Sequence, residues 1–330
     1  MTIKAAIIGP GRIAGAFGSR SKNACKPPFT HAHAITAHDG YHLSSVVGID
    51  NTETSAFAQR WDIGGQYIDP ATMLDAEAPD VVVITSPDDT HADTIIACAR
   101  HANAPQVIVS EKPVCCDAAE LARIDSALGD APNTTLLVNQ SLRLAHNFTA
   151  VRDIIASGDL GEPMMARWVY YGGWMHNGVH LVDMLPMVFG RNVKLMSAGQ
   201  GFIDRNDDPC IDATFDVGGV PVHLESTPEY AYQLGEGEIR LTRGRIRMTE
   251  FCADINIDQP VENEIGEVEL KPSKQIDLPT RPTPMERLYQ LCADFLVSGD
   301  NQVISLIGMD AIRPTMTHLF DAIDISKDDT

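Results

Sequence analysis

Two histidines and an aspartate interrupt an apolar segment near the middle of the chain, Trp174-Met175-His176-Asn177-Gly178-Val179-His180-Leu181-Val182-Asp183. Burying polar groups is costly unless they are partnered or used. With Asn177 as the expected N-cap of a following helix, His180 and Asp183 are three apart and share a face. A carboxylate beside an imidazole fixes its tautomer and tunes its proton affinity, which suits general acid/base work on a hydroxyl. A helix-start histidine satisfied by a local hydrogen bond fits the same residues. His176 and His180 also have the spacing of a metal-binding pair, but no placed carboxylate completes a site. A second chemical residue is Lys112, in Glu111-Lys112-Pro113. Its ammonium would stabilise an alkoxide or help deprotonate an alcohol; a solvated charge at a strand end is the plain alternative.

Such groups need a frame, and the first half of the chain supplies one. Ile3 to Ile8 is a short apolar run that ends in Gly9-Pro10-Gly11-Arg12-Ile13-Ala14, a G-x-G-x-x-A turn between a strand and a helix. In that turn Gly9 permits the bend, Gly11 lets backbone approach a pyrophosphate, and Ala14 is small enough for helix to meet strand. The next expected strand, Leu43 to Ile49, ends in Asp50, whose carboxylate would accept from both ribose hydroxyls and repel a 2′-phosphate. NAD(H) is therefore expected over NADP(H). The Gly11 to Asp50 spacing exceeds the usual ~20 residues, and Ser21 to Thr30 reads as the insertion responsible. His31, His33, His38 and His42 nearby are read as helix and loop histidines, with no metal. Val81 to Thr85, Val107 to Ser110 and Leu136 to Val138 are further strands, and Asp117 with Glu120 is a capping box for the helix between the last two. Strand and helix alternate, which predicts an α/β Rossmann domain, a doubly wound parallel sheet over residues 1–140. Ligands in such sheets lie beyond the carboxyl ends of the strands, where Gly9, Asp50, Ser86 and Lys112 all fall.

Residues 141–330 read as an α+β domain with an open, mostly antiparallel sheet; the C-terminal helices are candidates to pack back on the first domain. Phe148 to Ser157 is a connecting helix. Met164 to Tyr171, Ile211 to Val217, Val220 to Thr227, Gly237 to Thr242 and Arg245 to Glu250 are strands, with turns at Gly218-Gly219 and Arg243-Gly244. The last pair has one apolar face and one face bearing Arg240, Arg245 and Arg247, either solvated or matched to an acidic surface of another subunit. Residues 253–282, acidic and proline-bearing, predict strand fragments and loops. Thr283-Pro284-Met285-Glu286 is a capping box that starts a helix, and Asp300 to Ile325 holds another.

Composition narrows the function classes. With 25 Lys and Arg against 45 Asp and Glu, the net charge of −20 repels nucleic acid and anionic membranes alike. The seven cysteines are scattered without a CxxC pair, so a disulfide framework or zinc knuckle is not expected, and the thiols suit a reducing compartment. No run approaches the ~18 apolar residues of a membrane span. The first strand begins too early to leave room for a cleavable leader, so a cytoplasmic protein is expected.

These motifs together resemble the glucose-fructose oxidoreductase, inositol dehydrogenase and rhizopine-catabolism protein family (Gfo/Idh/MocA). The resemblance runs over nearly the whole chain and rests on Gly9 to Ala14, Ser86-Pro87-Asp88-Asp89-Thr90-His91, Glu111-Lys112-Pro113 and Gly178 to Asp183. It implies that Lys112 and His180 are catalytic, that Ser86, Pro87 and Asp88 line the nicotinamide end, and that His91 lies near the cofactor. Gly9, Gly11, Arg12, Ile13, Ala14, Asp50, Glu111 and Lys112 complete the implied cofactor site. Asp183 would orient His180 or bind a substrate hydroxyl. Family members carry Asp four residues before the catalytic histidine; His176 stands there, so the charge next to the substrate is altered. The wording around Trp174 to Gly178 is similar to a branch acting on sugars and nucleotide sugars in surface-polysaccharide or sialic-acid-like pathways. The implied function is hydride transfer between nicotinamide and a secondary alcohol of a sugar, cyclitol, sugar acid or nucleotide sugar, with residues 141–330 as the substrate-binding and oligomerisation domain and the open sheet joining a homodimer or homotetramer. Two other classes fit the same motifs: a glycosidase that uses NAD with no net turnover, and a non-catalytic NAD sensor.

Overall fold

The computed structural model describes residues 2–16, 28–190, 192–228, 232–250 and 253–328. The chain divides into two compact units, Met1–Leu144 with Thr280–Arg313, and Ala145–Pro279 with Pro314–Thr330.

The first unit is built on a six-stranded parallel sheet: β1 (Ile3–Ile8), β2 (Tyr41–Val47), β3 (Gly65–Tyr67), β4 (Val81–Ile84), β5 (Val107–Ser110) and β6 (Thr135–Val138), in the order β3-β2-β1-β4-β5-β6. Val81 to Ile84 are all fully buried, as a parallel strand covered on both faces must be. The order reverses between β1 and β4, which puts the ligand-binding crevice of such a sheet outside their carboxyl ends. Edge strand β3, Gly65-Gln66-Tyr67, has no apolar run and escapes a sequence reading. Helix starts follow their caps. Asp50 Oδ1 accepts from the backbone N–H of Thr52 and Glu53 at 2.8 and 2.9 Å, opening the helix Asn51–Trp61. Asp117 accepts from Glu120 N at 2.7 Å, but Glu120 reaches back to Cys116 N rather than to the cap, so that box is offset by one residue. Thr283 and Glu286 form the full reciprocal box of the helix Pro284–Ser298. That helix buries Leu288, Tyr289 and Cys292 in one core with Ile35, Leu43 and Val81. Of the turn after β1, the structure describes a short helical segment at Arg12–Ala16 that is broken at Gly15, whose backbone is non-helical. The rest of the expected helix, with Cys25 and the Lys22, Lys26 and Pro27 part of the insertion, lies outside the described residues.

The second unit carries an eight-stranded sheet: β7 (Pro163–Tyr171), β8 (Val193–Ile203), β9 (Pro209–Val217), β10 (Val220–Thr227), β11 (Gly235–Leu241), β12 (Gly244–Thr249), β13 (Asp254–Glu262) and β14 (Val268–Ile276), ordered β14-β13-β12-β11-β7-β10-β9-β8. Only β7 with β10 is parallel among the described pairs. The turn between β11 and β12 is Thr242-Arg243, one residue earlier than the sequence suggests. Residues 253–282 correct the reading of fragments and loops, because β13 and β14, nine residues each, pair as one antiparallel hairpin. The hairpin was hidden because β14 is an edge strand exposed along nearly its whole length. It has no buried face to impose alternation, and edge strands tolerate proline such as Pro272.

The arginine face also departs from both expectations. Asp258, 1% exposed, accepts from Arg245 Nε at 2.8 Å and from Arg247 Nε and Nη2 at 2.8 Å each, and Glu238 accepts from Arg240 and Arg245. The sheet therefore supplies its own counter-ions. The Arg247 and Arg245 guanidinium groups outweigh burial and hold the Asp258 carboxyl below its usual range. A depressed folded value contributes stability that is present above the unfolded pKa of ~4 and is lost as pH falls through the folded one. Asp258→Ala is expected to cost about 2 kcal/mol at neutral pH in denaturant unfolding. Asp258→Asn should flatten the acid limb of stability below ~pH 4; an unchanged limb would refute the assignment. Among the described residues, no helix is long and apolar enough to cross a membrane.

Candidate functional site

In the first unit the expected cofactor residues gather at the carboxyl ends of β1, β2, β4 and β5. Gly9 has φ +96°, and a Cβ built on it would stand 2.6 Å from Ser86 N and 2.8 Å from Ser86 Cα. The turns after β1 and β4 thus touch through backbone, a fit that only glycine allows. Thr85 Oγ1 fastens them by donating to Gly9 O at 2.6 Å and Ile8 O at 3.1 Å. Gly11 and Arg12 are exposed, Ile13 is half-buried and Ala14 is buried. A Cβ on Gly11 would meet only Thr85 O, at 3.8 Å, so that position is open to a ligand. Asp50 is exposed beyond β2 while it caps the next helix.

His91 is buried, and its ring spans two turns: Nδ1 lies 2.7 Å from Pro113 O and Nε2 2.9 Å from Ser86 O. It braces the turn after β4 against the turn after β5, while Pro87 and Asp88 stay exposed. Lys112 is half-buried at the end of β5. The carboxylate of Glu111 turns inward, accepting from Asn139 Nδ2 at 2.6 Å, with His31 Nε2 at 2.8 Å and the Lys112 N–H at 3.3 Å. Burial alone would raise the Glu111 carboxyl, but His31, the Asn139 bond and the Lys112 charge outweigh it and hold the group below the usual carboxylate range. Burial pushes the neighbouring Cys116 thiol up to about 11 and the Cys115 thiol higher still. Neither is a thiolate nucleophile at neutral pH.

Sequence reasoning missed Asn139 and Gln140, which directly follow β6. Gln140 is 1% exposed, and neither its amide oxygen nor its nitrogen has a hydrogen-bond partner among the described residues; Asn139 Oδ1 has none either. Buried orphan amides of this kind point to a bound polar group. With the Gly9 cradle and the open Gly11, they fit a dinucleotide with its amide-bearing nicotinamide end. The rule that selected Gly9 and Lys112, polar residues just beyond a strand's carboxyl end, would have found them.

In the second unit Trp174–Gly178 forms a single π-helical turn that leads into the helix Val179–Phe189. The structure corrects the N-cap. Asn177 lies inside the turn and donates to Tyr171 O at 2.7 Å, while Asp208 accepts from Met175 N at 3.1 Å and His176 N at 2.9 Å. An anion at the start of the turn stabilises it, and no local spacing reveals a carboxylate from the β8–β9 connection. Gly178 is forced by packing, since a Cβ there would stand 2.5 Å from Cε3 of the fully buried Trp174. Trp174 Nε1 donates to Leu319 O at 3.2 Å. This packing leaves His176 exposed and His180 half-buried in the first turn of the helix. Asp183 is 1% exposed and accepts from Thr315 Oγ1 at 2.8 Å. Among the described residues no three metal-binding side chains cluster.

Residues 3–139 match the model of an oxidoreductase family described as an NAD-binding Rossmann fold. Inositol 2-dehydrogenase of Rhizobium meliloti is 30% identical over 166 residues, 50% of this chain and 44% of the relative. Inositol 2-dehydrogenase of Rhodococcus erythropolis is 30% identical over 111 residues, 34% of this chain and 31% of the relative. The chain spans less than half the length of these two curated relatives in the matched regions. Among solved structures, a 3-ketoreductase from Actinomadura kijaniata, KijD10, in complex with NADP aligns with a TM-score of 0.76 at 18% identity, covering 98% of this chain and 96% of that one. An oxidoreductase from Agrobacterium radiobacter in complex with NAD+, L-tartaric acid and magnesium aligns with a TM-score of 0.74 at 17% identity, covering 100% and 98%. The structural likeness extends over both units and shows the fold.

Proposed function

We propose that this chain is a Gfo/Idh/MocA-type oxidoreductase, as the match of its first unit and its inositol dehydrogenase relatives support, and an NAD(H)-dependent dehydrogenase acting on a secondary alcohol of a cyclitol, sugar, sugar acid or nucleotide sugar. The observation that carries this reading is the row of strand ends in the first unit, where the Gly9 turn meets Ser86 and Lys112 ends the neighbouring strand. The relatives named inositol 2-dehydrogenase support a carbohydrate-like alcohol. Nicotinamide, when bound, supplies or accepts the hydride. His180 takes the hydroxyl proton on a ring nitrogen, and the Lys112 ammonium stabilises the negative charge that develops on the oxygen. Asp183, buried and held by Thr315, positions the helical turn that carries His180. The exposed His176 contributes a donor to a substrate hydroxyl. A homodimer or homotetramer built on the eight-stranded sheet goes with this reading, since Val261, Val268 and Leu270 leave apolar surface on its outer strands.

The reading is tested by a screen of NAD+ and NADP+ reduction over cyclitols, free sugars, sugar acids and nucleotide sugars, with the matching ketones offered to NADH. Oxidation of none of them, and reduction of none, would remove it. Cofactor choice is assigned to Asp50, whose exposed carboxylate would accept from the ribose and repel a 2′-phosphate. Asp50→Ser keeps a good helix cap while deleting the charge, so its effect reads recognition alone. The NADP+ to NAD+ ratio of kcat/KM is expected to rise about tenfold or more, roughly 1.4 kcal/mol, with the melting temperature unchanged. A wild-type preference for NADP+ would refute the assignment.

A further inference from the structure

Behind Lys112 lies a chain of buried polar groups that the proposed chemistry does not use. Tyr289 Oη is 2.6 Å from His31 Nδ1, and His31 Nε2 is 2.8 Å from Glu111 Oε1, with Tyr289 and His31 both fully buried. Asn139 Nδ2 shares the same carboxylate oxygen, and the other oxygen receives the Lys112 N–H. The groups come from four elements: the helix His31–Ala37, the ends of β5 and β6, and the helix Pro284–Ser298. Tyr289 is itself fixed, since Tyr41 Oη donates to its carbonyl at 3.0 Å and the two rings meet edge to face. Burial keeps the Tyr289 phenol protonated, so its O–H can donate to His31 Nδ1 while His31 Nε2–H donates to Glu111. In that arrangement both ring nitrogens are satisfied and the proton order along the chain is fixed.

Such a chain is costly to assemble. Each member must be desolvated, and a half-satisfied network is worse than an apolar one. Stability of the sheet does not require it, because the β5 and β6 backbone is already paired, with Glu111 N donating to Ile84 O and Asn139 N to Ser110 O. What the chain adds is a carboxylate immobilised one residue from Lys112, on the opposite side from the His91 brace at Pro113. We propose that His31, backed by Tyr289, is a positioning residue for Lys112. It locks Glu111, whose other oxygen holds the Lys112 backbone N–H at 3.3 Å, so that the turn carrying the Lys112 ammonium is fixed in one position. The inference rests on the reading of Lys112 as the alkoxide-stabilising group. It gives His31, which the sequence offers only as one of four local histidines, a role in the site. Misplacing a catalytic group by ~1 Å can cost ~100-fold in rate, which is the advantage such a lock confers.

The experiment observes Lys112 directly and needs no substrate. Lysines of the full-length protein are reductively methylated with ¹³C-formaldehyde, and the Lys112 dimethylamino resonance is assigned by its loss in Lys112→Met. At fixed pH this resonance is expected to be displaced in His31→Leu, which removes the donor, and to return to its original position in His31→Gln, whose amide can donate to Glu111. Tyr289→Phe, which deletes a single oxygen and keeps the core shape, should displace it less and in the same direction. It also serves as the test if His31→Leu does not fold. NADH binding, followed by fluorescence, should stay within about threefold of wild type in all three, well under the ~100-fold that misplacement of a reacting group can cost. A resonance unmoved in Tyr289→Phe and in any folded His31→Leu overturns the positioning role and leaves the catalytic reading intact. Wild-type turnover in Lys112→Met removes the catalytic reading while the resonance still reports whether His31 fixes Lys112.

Discussion

Lys112→Met and His180→Ala are each expected to lower turnover by about 10²–10⁴-fold while NADH still binds. The magnitude follows from the role given to each group. A general base that is removed must be replaced by water, and an ammonium that is removed leaves developing charge on the substrate oxygen without a partner. Methionine preserves much of the volume of the half-buried Lys112 side chain, so folding is not the quantity being read. For His180 the supporting shell stays in place: Gly178 against Trp174, the Asp208 carboxylate on the N–H groups of Met175 and His176, and Asp183 held by Thr315. The loss should therefore fall on kcat in single-turnover stopped-flow, with NADH fluorescence titration close to wild type. If both variants turn over at near-normal rates, the acid/base and alkoxide roles are wrong, whatever the cofactor.

The contrast between what the sequence shows and what it hides follows from where each group's partners lie. Val81 to Ile84 are legible because a strand buried on both faces must be apolar throughout, and Gly9 is legible because its neighbours in sequence create the turn. The hairpin of β13 and β14 is not, since an exposed edge leaves composition free to be acidic and proline-bearing. Strand β8 is hidden for a related reason: most of its eleven residues are exposed or half-buried. The site divides the same way. Of the proposed site, Lys112, His180 and the strand-end positions are legible from local sequence. Asn177 looks like the N-cap from sequence because Asp208, which accepts from the His176 N–H, lies 32 residues away. His31 and Tyr289 are 258 residues apart, and no local pattern couples them. Local sequence offers His31 only as a helix or loop histidine; its two partners show that it is committed to a carboxylate and a phenol.

The two motif glycines are expected to fail in different ways, and the difference tests whether a dinucleotide lies where the turn suggests. In Gly9→Val the side chain would be forced into φ +96° and against the backbone of Thr85 and Ser86 at 2.6–2.8 Å. Backbone strain of this kind costs about 1–3 kcal/mol, and no side-chain change at Ser86 can relieve a clash with its N and Cα. The turns after β1 and β4 must separate, breaking the Thr85 Oγ1 bond to Gly9 O. Both thermal stability and NADH affinity should therefore fall, the affinity by about tenfold or more for each 1.4 kcal/mol transferred to the site. Gly11→Ala is the opposite case. Its φ is ordinary, and the added methyl would meet only Thr85 O at 3.8 Å, so the unliganded protein has room for it and its melting temperature should not move. Any loss of NADH affinity in that variant comes from the ligand meeting the methyl. A stable Gly11→Ala protein with weakened NADH binding would place the pyrophosphate over Gly11. Wild-type affinity would show that the phosphates pass elsewhere, and the strand-end argument would then rest on Gly9, Asp50 and the orphan amide of Gln140 alone.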